Sequence, residues 1–241
     1  QRPGNAPDGE LTAALRPRGP VRGPVTGEWL PDPREGIVMI PIQASPADLD
    51  RYRSNVLAVW NSATADQETE GRRWYPMAHG LAEMMCDGDA RMGAGLIAAF
   101  SPQTSWWLNV ELAADAYDTG RPSRHVGDAL SKAAKILAGI DQVDVLPMER
   151  KTGMFFRCIA DPSDPDAVCI DRHAHDIAVG EPFGDRPRGL TAKGRYRLLA
   201  DVYRDVARSV GELPSTVQAV TWVVWRDMIS NTATRGALIV R

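Results

Sequence analysis

Apolar residues recur along most of this chain at the three- and four-residue spacing of helices buried on one face. The stretch 45–63, "SPADLDRYRSNVLAVWNSA", opens with a Ser-Pro start signal and sets Leu49, Tyr52, Val56, Val59 and Trp60 on one side. "YPMAHGLAEMMC" and "DARMGAGLIAAF" read as two more helices, the second rich in small residues and suited to burial. "SWWLNVELAADAYDTG" and "GDALSKAAKILAG" end on Gly120 and Gly139, as helices commonly do. "PMERKTGMFFRCIA" leads into a turn-forming "DPSDPD", and a short "IDRHAHDIAVG" follows. "TAKGRYRLLADVYRDVARSVG" and "PSTVQAVTWVVWRDMIS" are long and close the pattern. The spacing predicts an all-α domain of about nine helices over 45–241, with no internal repeat.

Before residue 45 the periodicity vanishes. Residues 1–35 hold seven Pro and five Gly, with five acidic and five basic residues. That composition buries no core, so 1–44 is expected to be an extended arm, with "GIVMIPI" (36–42) a short strand or a strap across the domain.

Composition narrows the function classes. An apolar fraction of 44% and a charged fraction of 24% are those of a globular protein with a real core. The formal net charge of −3 argues against a general polyanion binder, though not against a local basic patch. Cys86, Cys158 and Cys169 are widely spaced and form no CxxC pair, so neither a zinc nor an iron–sulfur site built on cysteine is expected; they suit buried thiols in a reducing compartment. No run approaches a membrane span, and the first residues lack the apolar core of a signal peptide, so a cytoplasmic setting without membrane contact is expected. No oligomeric state is indicated.

Chemistry concentrates in Leu146–Gly180. Lys151 opens a helix after a Pro turn. Asp171 follows a strand-like trio, Val168, Cys169 and Ile170, where the next helix begins, and a carboxylate there caps backbone N–H groups while staying ionised. If the two helices pack side by side, an amine and a carboxylate face one pocket. That pairing suits a reaction that builds positive charge on a sugar, the anion stabilising an oxocarbenium-like transition state while the amine attacks C1′ or positions a water.

The stretch resembles the helix-hairpin-helix DNA glycosylase superfamily, the endonuclease III and adenine glycosylase group. Lys151-Thr152 matches that family's K-T, and Ile170-Asp171-Arg172-His173 its V-D-T-H, 20 residues after the Lys. Ser101, Gln103 and Asn109 stand where the family has an L-S-A-Q segment and a following Asn. Ser131-Lys132-Ala133-Ala134-Lys135-Ile136 matches its S-K-A-x-x-I. The four motifs run in order over residues 95–180. The resemblance implies two helical lobes with a cleft, a DNA substrate, duplex or single-stranded, and a flipped-out and modified base. Asp171 and Lys151 would be catalytic. Gln103 would fill the vacated stack, with Trp106 or Trp107 wedging beside it or, on the other reading, packing in the core. Asn109, Lys132, Arg150, Thr152, Arg172 and His173 would contact nucleic acid. No cofactor is implied.

The chain also departs from that pattern. "LPMERKT" lacks the hairpin glycines whose backbone grips a phosphate, leaving Arg150 to take over the contact. The four-cysteine cluster is missing, and Asp176 stands where an Arg is expected. Two alternatives therefore stay open. One is a bacteriophage-type DNA hypermodification enzyme, which displaces an activated group on a 5-hydroxymethyl pyrimidine. The other is a non-catalytic DNA-binding module.

Other residues divide between roles. In "DRHAHD", His173 and His175 lie about 200° apart on a helix and do not share a metal ion without help, so no metal site is expected. "RPRGLTAKGRYR" holds five basic residues in twelve, so Arg186, Arg188, Lys193 and Arg195 are phosphate contacts or a solvated loop. His79 is expected to be a satisfied packing histidine. Trp222 and Trp225 suit the core, with Gln218 and Arg226 in reach of a base edge or phosphate.

Overall fold

A computed structural model describes the backbone of residues 43–239 and the side chains of residues 43–230. The expected arm and the strand or strap at 36–42 lie outside the described residues, apart from Gln43 and Ala44. The described residues form ten helices and no strand: α1 (Pro46–Asn61), α2 (Ala65–Met85), α3 (Ala90–Phe100), α4 (Trp106–Thr119), α5 (Gly127–Leu137), α6 (Gln142–Val145), α7 (Lys151–Ala160), α8 (Arg172–Val179), α9 (Lys193–Val210) and α10 (Pro214–Ile239). The fold is all-α.

Helix starts follow local chemistry. Ser45 caps α1 in a reciprocal box with Asp48, and Pro46 occupies the first turn. Thr64 and Gln67 make the same box at α2. That helix begins ten residues ahead of the apolar stretch at Tyr75, because its first turns, "ADQETEGRR", are polar and bury only Gly71. A β-carbon there would lie 2.5 Å from the Val220 backbone, so α2 and α10 approach at a point that carries no apolar signal. The tenth helix is α6, a single turn too short to show a period.

The core has two parts. One gathers apolar side chains of α2, α3, α4, α5 and α7, with α3 buried from Gly93 to Phe100. The other gathers those of α1, α8, α9 and α10. Residues 167–170 run between them without helical structure and with alternating sides: Ala167 and Cys169 join the first core, Val168 and Ile170 the second. This segment has no partner strand. The Tyr196 hydroxyl of α9 supplies the missing pairing, accepting from the Ile170 N–H at 3.0 Å and donating to the Val168 carbonyl at 3.1 Å. The expected strand-like trio is thus extended chain, and it delivers Asp171 to the boundary between the two cores.

Candidate active site at the boundary of the two cores

Lys151 is the first residue of α7. The turn before it is tight, with the Arg150 N–H donating to the Pro147 carbonyl at 3.0 Å. Gly153 packs on that turn so closely that a β-carbon would sit 2.3 Å from Met148 Cα. A helix–turn–helix of α6 and α7 therefore forms without glycine in the turn itself. Asp171 caps α8: its Oδ1 accepts from the His173 and Ala174 N–H groups, both at 2.9 Å. The other carboxylate oxygen takes no part in this cap.

Both side chains line one cavity of about 150 Å³. Trp74 and Tyr75 of α2, Trp106 and Asn109 of α4, Phe155 of α7, and Gln218 and Trp222 of α10 form its walls, with Ser101, Thr104, Cys169 and Ala219. The aromatics make one cluster around Trp74. Its ring centroid lies 4.9 Å from Tyr75, 5.0 Å from Trp106, 6.0 Å from Phe155 and 6.2 Å from Trp222. A cavity of roughly 150 Å³ holds a single aromatic ring.

The polar groups are few and specific. The buried Tyr75 hydroxyl donates to Gln218 Oε1 at 2.7 Å. Burial pushes that hydroxyl far above its ordinary pKa, so it remains a donor. That bond fixes the orientation of the Gln218 amide at the cavity wall. The Asn109 Oδ1 and Trp106 Nε1 atoms are buried without a protein partner, one acceptor and one donor. A buried polar group left unpaired costs about 1–3 kcal/mol, which a bound ligand can recover. Burial drives the Cys169 thiol up to about 12, so it is no nucleophile at neutral pH. The Lys151 charge pulls that pKa down and the Asp171 charge pushes it up, which places both charges within electrostatic reach of one sulfur.

The adjacent tryptophans divide their roles. Trp106 lines the cavity, whereas Trp107 is 42% exposed and takes no part in the lining. Gln103 is exposed beside it in left-handed backbone, φ 58°, which costs a residue other than glycine roughly 1–3 kcal/mol. Arg150 and Arg172 are exposed on the residues flanking the pair, and Thr152 is half-buried. Arg172 Nε lies 3.2 Å from Nε2 of His173, whose pKa is lowered first by burial.

Gln103, Trp107, Arg150, Thr152, Arg172 and His173 do not line the cavity, and neither do the remaining candidates. Lys132 pairs with Asp128 on its own helix, and Lys193 with Glu149. Arg186 donates to the carbonyls of Pro182 and Phe183, and Arg195, which is buried, to that of Gly189. Arg188 makes a two-pronged pair with buried Asp176, at 2.7 Å to each oxygen. His175 Nδ1 lies 2.9 Å from Oδ1 of the same carboxylate, and the Phe183 N–H donates to Oδ2 at 3.0 Å. Burial raises the Asp176 pKa, but the bonds from His175, Arg188 and Phe183 outweigh it and leave the carboxyl below its usual range. In "RPRGLTAKGRYR", then, the arginines at 186, 188 and 195 have contacts that hold the loop before α9 to the protein. The acceptors that use them are backbone carbonyls, the buried Asp176 carboxylate and the part-buried Glu181 carboxylate at 3.3 Å from Arg186, none visible as an acidic run. His79 is satisfied by the Ile159 carbonyl at 2.8 Å, as a packing histidine. Arg226 pairs with Glu70 and Asp227. Among the described residues no three His, Cys, Asp or Glu side chains are grouped to hold a metal, and no helix is long and apolar enough to cross a membrane.

Sequence reasoning missed Trp74, Tyr75 and Phe155 as cavity walls and gave Trp222 to the core. Their signal was only aromatic content, since four separate helices supply these walls together with Trp106.

A family model described as "Family of unknown function (DUF7178)" matches residues 39–229. The chain belongs to DUF7178. The match spans every cavity residue named above, so the site lies within the part that defines the DUF7178 resemblance. No curated protein and no solved structure matches the chain.

Proposed function

We propose that this DUF7178 protein acts on one base of DNA, taken out of its stack and held in the aromatic cavity, with Lys151 and Asp171 at the glycosidic carbon. The observation that carries the reading is the meeting of these two side chains. They are separated by 20 residues and start different helices, yet both line a ring-sized cavity walled by five aromatic side chains. Stacking on such rings is worth about 1–3 kcal/mol per base. Gln218 and Asn109 supply the hydrogen bonds that tell one ring edge from another.

In this reading the carboxylate of Asp171, fixed by two N–H groups of α8, faces the sugar as positive charge grows on it. The base leaves with the electron pair of the C1′–N bond. Lys151 either attacks C1′, its nitrogen giving up a proton that the departing base takes up, or holds the water that attacks C1′ and loses its proton in the same way. The motifs around Lys151 and Asp171 resemble those of the helix-hairpin-helix glycosylases, which supports this reading, and Gln103 and Trp107 are exposed on either side of Thr104 and Trp106, which line the cavity.

The test is incubation with oligonucleotides carrying a panel of modified bases, followed by nucleoside analysis by mass spectrometry. Release of a base with an abasic site supports excision. A base altered but retained transfers the same residues to substitution chemistry. No change in any substrate, with the protein folded, overturns the enzyme reading.

A further inference from the structure

Three residues other than glycine adopt left-handed backbone among the described residues, and two of them flank one hydrogen bond. Gln103, φ 58°, precedes Thr104; Arg124, φ 57°, precedes His125. Thr104 Oγ1 and His125 Nε2 are 2.8 Å apart. The direction of this bond follows from its neighbours. The Val126 N–H donates to His125 Nδ1 at 2.8 Å, so Nδ1 carries the lone pair and Nε2 the proton. His125 therefore donates to Thr104, whose own hydroxyl donates to the Pro102 carbonyl at 3.0 Å. The chain of bonds closes over both sides of Gln103.

The connection that carries His125 is itself anchored. Arg124 reaches back along α4 to Glu111 at 2.9 Å and to Asp115. The His125 ring packs 5.7 Å from that of buried Phe100, the last residue of α3. The segment after α4 thus returns to clamp the loop before α4, and Thr104, on the inner side of that loop, lines the cavity.

We infer that His125 and Thr104 are positioning residues that hold Gln103 in its left-handed turn at the cavity rim, pre-set to enter a duplex where a base has left. This rests on reading the cavity as a base pocket. Unclamped, residue 103 returns to ordinary negative φ and its amide swings off the rim; the ordering is then a cost at binding. An opposed base is present only in a duplex, so the clamp acts on duplex DNA alone.

The experiment measures fluorescence anisotropy with two probes: a duplex holding one tetrahydrofuran abasic analogue, and the same labelled strand unpaired. His125→Phe keeps a ring against Phe100 and removes the bond. It is expected to weaken duplex binding about tenfold, as Gln103→Ala does, to leave single-strand binding within about twofold, and to add nothing further in the double variant. Thr104→Val is expected to repeat the duplex loss and Thr104→Ser to restore it. If His125→Phe and Thr104→Val keep full duplex affinity while Gln103→Ala loses it, the clamp is wrong and the base-pocket reading stands. If all three are silent, Gln103 has no duplex role and the inference falls with it, leaving Asp171 to be judged on turnover. Equal loss on both probes marks a general structural defect and also overturns it.

Discussion

Asp171 offers the sharpest perturbation, because its two duties can be separated by one atom. As the cap of α8 it accepts two backbone N–H groups at 2.9 Å, and losing such a cap costs about 1 kcal/mol. As a charge it faces the cavity. A carboxylate about 4 Å from a developing cation is worth about 4 kcal/mol at an effective dielectric of 20. Water at the open mouth reduces this toward the roughly hundredfold to thousandfold seen when one preorganised electrostatic group is removed. Asn caps helices as well as Asp does, so Asp171→Asn is expected to unfold within a few tenths of a kcal/mol of the wild type and still lose about a hundredfold or more in turnover. Asp171→Ala is expected to lose the same turnover and, in addition, about 1 kcal/mol of stability. Urea unfolding followed by circular dichroism gives the first quantity, and single-turnover base release read by mass spectrometry the second. Wild-type turnover in Asp171→Asn refutes the charge argument. So does a loss, in either variant, that only tracks the folded fraction.

Three further outcomes follow from named contacts. Arg188→Ala leaves the buried Asp176 carboxylate without its two-pronged partner and is expected to cost about 3 kcal/mol in urea unfolding at pH 7. Because the folded Asp176 pKa lies below the unfolded value of about 3.9, its stabilisation is complete above that pH and is lost as pH falls through the folded value; an acid titration of the unfolding midpoint is expected to show a shallower loss in the Arg188→Ala variant. Gly153→Ala drives a β-carbon into the Met148 and Pro147 backbone and is expected to cost about 2–3 kcal/mol, measured by thermal unfolding. Tyr75→Phe frees the Gln218 amide to turn; it is expected to cost about 1 kcal/mol and to narrow the preference between substrates with and without a ring acceptor, measured as the ratio of kcat/KM values.

The helices were legible wherever an apolar stripe exists, as in α1 with Tyr52, Val56 and Val59 buried. The first turns of α2 were not, since their contact with α10 is a glycine against a backbone. Lys151 and Asp171 were legible because helix starts can be read from turns and caps, and their shared cavity follows once both helices are placed. Its aromatic walls were not, because Trp74, Phe155 and Trp222 come from distant parts of the chain and each reads alone as ordinary core. The charges at 186–195 were plain in the sequence, but their partners were hidden: backbone carbonyls, and scattered acids at 149, 176 and 181 that form no run of their own.

The run 167–170, stitched alternately to one core and the other, makes the site depend on both cores at once. Lys151 starts a helix packed into one core, whereas Asp171 directly follows Val168 and Ile170, which are buried in the other. Loosening either core alone therefore separates the amine from the acid.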